Sequence, residues 1–178
     1  MDKSRNYFTL FDIPVSFYVD LSELTSRYLK LQKVLHPDKF ASNTEQQKLY
    51  SVQQTAELNN AYETLKNPLL RARYLMGLNG IVLDDEQNTI MDSRFLMQQM
   101  ELREALNTAK TENASSDAVE SILDQIDELS NTQFQNLKKQ FALAQPDYEA
   151  VADSVRKLQF FSKLHDEADT LLAQIEDK

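Results

Sequence analysis

Cysteine and tryptophan are absent from this 178-residue chain, and histidine occurs only twice. Without cysteine the chain can form no disulfide, and it has neither a cysteine nucleophile nor thiolate ligands for a metal or metal cluster. The two histidines, His36 and His165, are far apart in the sequence, and no carboxylate cluster is present that would complete a site. We therefore expect no metal site and no cofactor.

Glycine occurs twice and proline four times, which is too little for the tight turns of an all-β fold and favours helices. No run of 18 apolar residues is present, so nothing in the sequence predicts a membrane span. The first ten residues have neither the apolar segment of a signal peptide nor the composition of a transit peptide. We expect the protein to stay in the compartment where it is made.

Charge is distributed unevenly along the chain. Residues 1–80 carry ten Lys and Arg against eight Asp and Glu, whereas residues 81–178 carry nine against twenty. Such asymmetry indicates two domains with different partners. The acidic half would repel a phosphate backbone, so we expect no nucleic-acid binding.

Hydrophobic spacing predicts four helices in a first domain, 1–80, at about 6–11, 21–35, 45–66 and 69–78. The second helix should pack through one apolar stripe, formed by Leu21, Leu24, Tyr28, Leu31 and Leu35. The third offers a longer set of residues for packing: Leu49, Val52, Ala56, Leu58, Ala61, Tyr62 and Leu65. Pro37 ends the second helix, Asn67-Pro68 starts the fourth and Asn79-Gly80 ends it.

The second half is predicted to consist of a segment at 81–91, either a linker or a lid between domains, followed by a domain at 92–178. Its predicted helices run over about 93–110, 116–143 and 147–175, and polar or proline-containing breaks separate them. Three amphipathic helices joined by short loops predict an antiparallel bundle. The predicted fold class is therefore all-α, with four helices followed by three.

A basic face precedes a short polar loop in the first domain. At about 100° per residue, Arg27, Lys30 and Lys33 lie opposite the apolar stripe of their helix. The loop then begins with His36-Pro37-Asp38, which combines a ring donor and acceptor, a fixed backbone and a carboxylate. A basic helix face alone is typical of solvent exposure.

The first helix of the second domain is apolar on two sides. One side is a predicted core stripe of Phe95, Leu102, Leu106 and Ala109. The other side carries Leu96, Met97, Met100, Glu101, Glu104 and Thr108. Apolar groups ringed by acids indicate a partner-binding patch, although Leu96 and Met100 would also suit packing against the linker or the first domain.

Phe160, on the last predicted helix, is the other aromatic candidate for this patch. Leu158 and Phe161 lie near the local apolar stripe, whereas Phe160 lies well away from it. A surface anchor and an aromatic that fills a gap between helices both fit this position.

Several segments resemble a known family. YLKLQKVLHPDKF (28–40) and AYETLKNPLLRARYL (61–75) resemble the helices and loop of a J-domain. Four segments resemble, more specifically, the HscB-type co-chaperones of iron–sulfur cluster assembly: HPDKFAS (36–42), PLLRARYL (68–75), FLMQQMELRE (95–104) and VRKLQFF (155–161). The resemblance extends over essentially the whole chain, including a C-terminal bundle that ordinary J-proteins lack.

The resemblance implies an L-shaped arrangement of a J-domain and a three-helix scaffold-binding domain, in a bacterial cytoplasm. His36, Pro37 and Asp38, with the basic face, would meet an HscA-type chaperone of the DnaK class and stimulate its ATPase. The patch on the first bundle helix, together with Phe160, would hold an IscU-type cluster scaffold. Thr108 replaces the acid expected at its position, which puts its role in doubt.

Two other functions fit parts of the sequence. A hydrolase could use His36 and Asp38 as base and orienting group, but no nucleophile or oxyanion donor accompanies them. A J-protein for general unfolded clients would usually carry a Gly-rich linker or a cysteine-rich zinc region, and both are missing. We expect a co-chaperone that is not itself an enzyme.

Overall fold

The computed structural model describes residues 6–35, 44–83, 93–111 and 115–177. All regular secondary structure in these ranges is helical, so the predicted fold class is confirmed. The helices are α1 Tyr7–Leu10, α2 Leu21–Leu35, α3 Glu45–Lys66, α4 Pro68–Leu78, α5 Ser93–Thr111, α6 Ser116–Phe141 and α7 Tyr148–Glu176. Each bound lies within two residues of its predicted place.

Local capping explains why the boundaries of α4 were predictable. The side chain of Asn67 accepts hydrogen bonds from the backbone amides of Leu69 and Leu70, and Pro68 occupies the first helical position. The helix ends at Leu78 with Asn79 as its C-cap, and Gly80 then adopts a positive φ of 79°, which glycine tolerates without strain.

The chain divides into two compact units, Met1–Ile81 and Val82–Lys178. In the first unit α1, α2 and α4 all pack on α3. Its buried core includes Phe8, Leu24, Leu58, Leu65 and Met76. Most of the predicted linker, 81–91, lies outside the described residues, and the domain boundaries given above stay a prediction.

The second unit is built on the long pair α6 and α7, with α5 packed against both. Its core consists of apolar residues from all three helices: Phe95, Leu102, Leu106, Ala109, Val119, Ile122, Ile126, Phe161, Leu164 and Ala168. The predicted core stripe of α5 is therefore confirmed. One face of α5 is committed to this core, which leaves its opposite face for solvent or a partner.

The first unit departs from the predicted packing at one end of α2 and along α3. Leu21 is 47% exposed because it is the first residue of α2, and a helical wheel gives direction but not position along the axis. On α3, Leu49 is 60% exposed and Val52 is 51% exposed, and Ala56 is exposed as well. The reason is that α3 turns the fully buried Ser51 towards the interior in their place.

Candidate functional site

Helices α2 and α3 are joined by aromatic and polar contacts. The rings of Tyr28 and Tyr62 stack with centroids 4.1 Å apart and an interplanar angle of 18°. The Tyr28 hydroxyl donates to Asn59 at 3.0 Å, and the hydroxyls of Thr25 and Tyr62 lie 3.1 Å apart. With this side of α2 held against α3, the side that bears Lys30 and Lys33 remains exposed.

Arg27 differs from the other two residues of the predicted basic face. Its guanidinium donates to the backbone carbonyls of Phe11 and Asp12, and it forms ion pairs with Asp12 at 3.0 Å and Glu23 at 2.7 Å. Its side chain is only 31% exposed. Arg27 is therefore not simply a solvated cation, because the segment between α1 and α2 approaches this side of the helix.

Arg27 is therefore held within its own domain. The hydrogen bond with Glu23 is the main cause that raises the pKa of Arg27 from its ordinary value, and the bond with Asp12 adds to it. Any partner that uses Arg27 must share the guanidinium with these acceptors. Lys30 and Lys33 carry the exposed positive charge of α2.

The C-terminal end of α2 is anchored from α3. The carbonyl oxygen of Leu35, the last residue of α2, accepts hydrogen bonds from the hydroxyls of Ser51 at 2.7 Å and Thr55 at 3.1 Å. The next residues, His36, Pro37 and Asp38, which belong to the predicted chaperone-binding loop, lie outside the described residues.

Arg71 links α4 to two other parts of the first unit. Although charged, it is buried, and its guanidinium donates to the carbonyls of Leu65, Phe17 and Lys66. It also lies over the ring of Phe17, with Cζ 5.5 Å from the centroid. Burial lowers the pKa of Arg71 from its ordinary value. Arg71, the first of the two arginines in the PLLRARYL segment, thus has a structural task that its sequence context did not reveal.

A second aromatic contact fixes α1 against α4. The rings of Tyr7 and Tyr74 stack with centroids 4.5 Å apart, and the backbone amide of Tyr7 donates to the Tyr74 hydroxyl at 2.9 Å. Burial is the main cause that raises the pKa of Tyr74 from its ordinary value.

The outer face of α5 carries a group of exposed apolar side chains, as predicted. Leu96, Met97 and Met100 are 48%, 63% and 64% exposed, whereas the core stripe of the same helix is buried. The acids Glu101 and Glu104 are exposed on the same helix. We call these five residues the α5 patch. Three large apolar side chains in solvent, with acids beside them, are typical of a protein-binding surface.

Phe160 occupies a position between the core and the surface. Its ring is half-buried and packs edge-on against Phe95 and Phe161, at 5.8 Å and 5.7 Å between centroids. Phe160 lies off the apolar stripe of α7, as the helical wheel predicts, but it does not point clear of the core, because a residue beside Phe161 on α7 still reaches Phe95 of α5. The gap-filling role, left open from the sequence, therefore describes part of what Phe160 does.

Arg103 lies beside the α5 patch and Phe160, and no role was predicted for it from the sequence. Its Cζ lies 5.5 Å from the centroid of the Phe160 ring, within cation–π range. It also lines a shallow groove on α5 with Met100, Glu104, Asn107, Thr108 and Thr111. The spacing of Arg103 from Met100 and Glu104 was visible in the sequence, but its pairing with a ring on another helix was not.

The other histidine, His165, lies between two acids of the bundle. Its ring nitrogens are 3.5 Å from Asp127 on α6 and 3.1 Å from Asp169 on α7. Among the described residues no group of three or more potential ligands could hold a metal ion, and no helix is long and apolar enough to cross a membrane.

Two known protein families match this chain, one in each half. Residues 6–74 match the DnaJ domain, and residues 91–169 match the HSCB C-terminal oligomerisation domain. The two matches together account for most of the chain.

Relatives match over almost the full length. A co-chaperone protein HscB homologue of Shewanella frigidimarina is 44% identical over 174 residues, which cover 97% of each chain. The chaperone HscB of Vibrio cholerae is 41% identical in sequence and matches in structure with a TM-score of 0.83 over 95% of this chain and 99% of its own. The human co-chaperone protein HscB is 31% identical, with a TM-score of 0.85 over 96% of this chain and 83% of its own. By its two domains, its fold and its sequence, the chain belongs to the HscB family of J-domain co-chaperones.

Proposed function

We propose that this protein is the adaptor between an IscU-type iron–sulfur scaffold and an HscA-type chaperone of the DnaK class. The second domain holds the scaffold, and the J-domain delivers it and stimulates ATP hydrolysis by the chaperone. The observation that carries the proposal is the α5 patch, in a chain that also has a DnaJ domain. A surface with three exposed apolar anchors suits one dedicated client.

The scaffold contact is assigned to the α5 patch and Phe160. Leu96, Met97 and Met100 are unbranched at Cβ and adaptable, so they can fill pockets of a partner surface. Buried apolar anchors dominate the free energy of many interfaces, whereas charges at the rim mainly affect the association rate. Glu101 and Glu104 are accordingly assigned to the rim. Thr108, which lines the groove beside them, is not assigned a role.

The chaperone contact is assigned to His36, Pro37 and Asp38, supported by Lys30, Lys33 and Arg27. The lysines are exposed on α2, whose last residue directly precedes the tripeptide. Positive charge beside the contact loop would speed association with an acidic groove on the chaperone and make that association sensitive to salt. Arg27 contributes to the field of this face while it remains bonded to Asp12 and Glu23.

In this proposal the hydrolytic groups belong to the chaperone, and the protein itself is not an enzyme. The relatives are named as co-chaperones, which supports this assignment. The compartment would be the one that holds the scaffold and the chaperone, which we take to be the bacterial cytoplasm.

The test uses purified scaffold and chaperone with the full-length protein. Titration calorimetry with the IscU-type scaffold should detect a complex, and the protein should accelerate ATP hydrolysis by the HscA-type chaperone. His36→Gln should abolish the acceleration and leave scaffold binding unchanged. A protein that accelerates the chaperone but binds unfolded polypeptides as well as it binds the scaffold would instead be a J-protein for general clients.

A further inference from the structure

The hydroxyl groups at the end of α2 belong to neither of the proposed binding surfaces. Leu35 is the last residue of α2, and its carbonyl accepts from both Ser51 and Thr55. No residue within α2 can donate to this carbonyl, because the last four carbonyls of a helix have no partner inside it. Two side chains of α3 therefore supply the hydrogen bonds that would otherwise be missing at this helix end.

Ser51 is unusual for its position. It is fully buried, while its apolar neighbours Leu49 and Val52 are exposed. Burying a hydroxyl costs free energy unless it is hydrogen-bonded, and an alanine would fill an ordinary core position without that cost. The bond to Leu35 explains the serine, whereas packing alone does not.

The two hydrogen bonds to the Leu35 carbonyl oxygen restrict the orientation of its peptide unit. The Leu35 carbonyl belongs to the planar peptide unit that links Leu35 to His36, so holding its oxygen sets the plane of that unit. The orientation of the Leu35 carbonyl, the last one of α2, is thereby held from α3. Ser51 and Thr55 are one helical turn apart, so both hydroxyls come from the same rigid face of α3.

We propose that Ser51 and Thr55 are positioning residues for the chaperone contact: their hydroxyls set the peptide unit from which His36 extends. This inference rests on the proposed function, in which His36 contacts the chaperone. Neither residue needs to touch the chaperone itself. Without the two hydroxyls the Leu35 carbonyl would sample several orientations, and only a fraction of molecules would be competent to bind.

The expected effect is on affinity and not on the maximal rate, since a competent molecule makes the same contact once bound. The Ser51→Ala/Thr55→Val double variant removes both hydroxyls with little change in volume. Stimulation of the HscA-type chaperone should reach the same plateau, with the half-maximal concentration raised roughly tenfold, the size expected for two neutral hydrogen bonds. Thr55→Val alone should give a smaller rise, and Thr55→Ser, which keeps the hydroxyl, should behave as wild type.

Thr25→Val is the matched control. It removes a hydroxyl that bonds the Leu21 carbonyl and lies against Tyr62 at the other end of the same helix pair. This variant should leave the stimulation curve unchanged at equal folded fraction. An equal shift for Thr25→Val would overturn the inference, because the effect would then come from general loosening of α2 against α3.

The remaining outcomes show whether the inference alone fails or the proposed function fails with it. If His36→Gln abolishes stimulation while the folded double variant follows the wild-type curve, the inference fails and the proposed function stands. If His36→Gln stimulates normally, both fail. Should the double variant not fold, Thr55→Val carries the test, because Thr55 is only half-buried and valine has nearly its shape. A wild-type curve for that variant overturns the inference.

Discussion

The ring of Phe160 meets the ring of Phe95 edge-on, with centroids 5.8 Å apart and planes at 86°. Phe95 is buried in the core of the second unit, so Phe160 serves that core and the proposed scaffold surface at once. Leu96 and Met97 have no such double role, since both are largely exposed on the outer face of α5. These residues should therefore respond differently to mutation.

Phe160→Ala should weaken scaffold binding and also destabilise the fold, by about 1–3 kcal/mol for a half-buried aromatic. Leu96→Ala/Met97→Ala should weaken scaffold binding by at least tenfold, with a change in unfolding free energy of less than about 1 kcal/mol. Titration calorimetry with the scaffold and urea unfolding of each variant measure the two effects. Normal binding by the folded Leu96→Ala/Met97→Ala variant would remove the α5 patch from the scaffold site.

Comparing Arg27→Glu with Lys30→Glu should distinguish a residue of α2 that stabilises the fold from one that contributes only its charge. Arg27→Glu replaces a donor to the Phe11 and Asp12 carbonyls by an acid beside Glu23, so it should lower the melting temperature. Lys30 is exposed, and its reversal should leave the melting temperature unchanged. Both variants should weaken chaperone binding at low salt, and added salt should weaken the wild-type interaction. Equal melting temperatures for the two variants would contradict the anchoring of Arg27.

Arg71→Met should be among the more destabilising substitutions in the first unit. It leaves the carbonyls of Leu65 and Phe17 without their donor in a buried place, which should cost about 2–4 kcal/mol. Lys33→Met, which also removes a cation but at an exposed position, is the control and should change stability by less than about 0.5 kcal/mol. Urea midpoints compare the two, and similar midpoints would show that the Arg71 hydrogen bonds contribute little.

The raised pKa of Tyr74 predicts a loss of stability at alkaline pH. Its stabilising contribution is fully present below the unfolded pKa of about 10 and is lost as the pH rises through the higher folded value. Tyr74→Phe removes this titration together with the acceptor for the Tyr7 amide. Wild type should therefore be the more stable protein at pH 8, and its advantage should shrink towards pH 11. A constant difference in urea midpoint across this range would contradict the assignment.

Local signals account for most of what could be predicted from the sequence. Asn67 and Pro68 define the start of α4 through the cap and the first helical position, and Gly80 follows its end. The buried face of α5 follows from periodicity alone, because its stripe meets a core made of similar apolar residues. These features depend only on residues that are close together in the sequence, so they can be predicted from it.

The missed features depend on contacts between distant segments. The inner face of α3 carries Ser51, a polar residue whose burial depends on a carbonyl 16 positions away. Arg27 lies on the polar side of α2, but the α1–α2 segment covers that side. Phe160 falls outside the stripe of α7 and is nevertheless covered by Arg103 of α5. A helical wheel describes one helix at a time and contains none of these neighbours.

The most direct test of the adaptor role is the single-turnover rate of ATP hydrolysis by the HscA-type chaperone, measured with the protein alone, the scaffold alone and both together. Wild type should accelerate hydrolysis alone and should give more than the additive rate with the scaffold. Leu96→Ala/Met97→Ala should keep the first effect and lose the excess, and His36→Gln should lose both. A rate that is merely additive for wild type, or an excess that survives loss of Leu96 and Met97, would contradict the account.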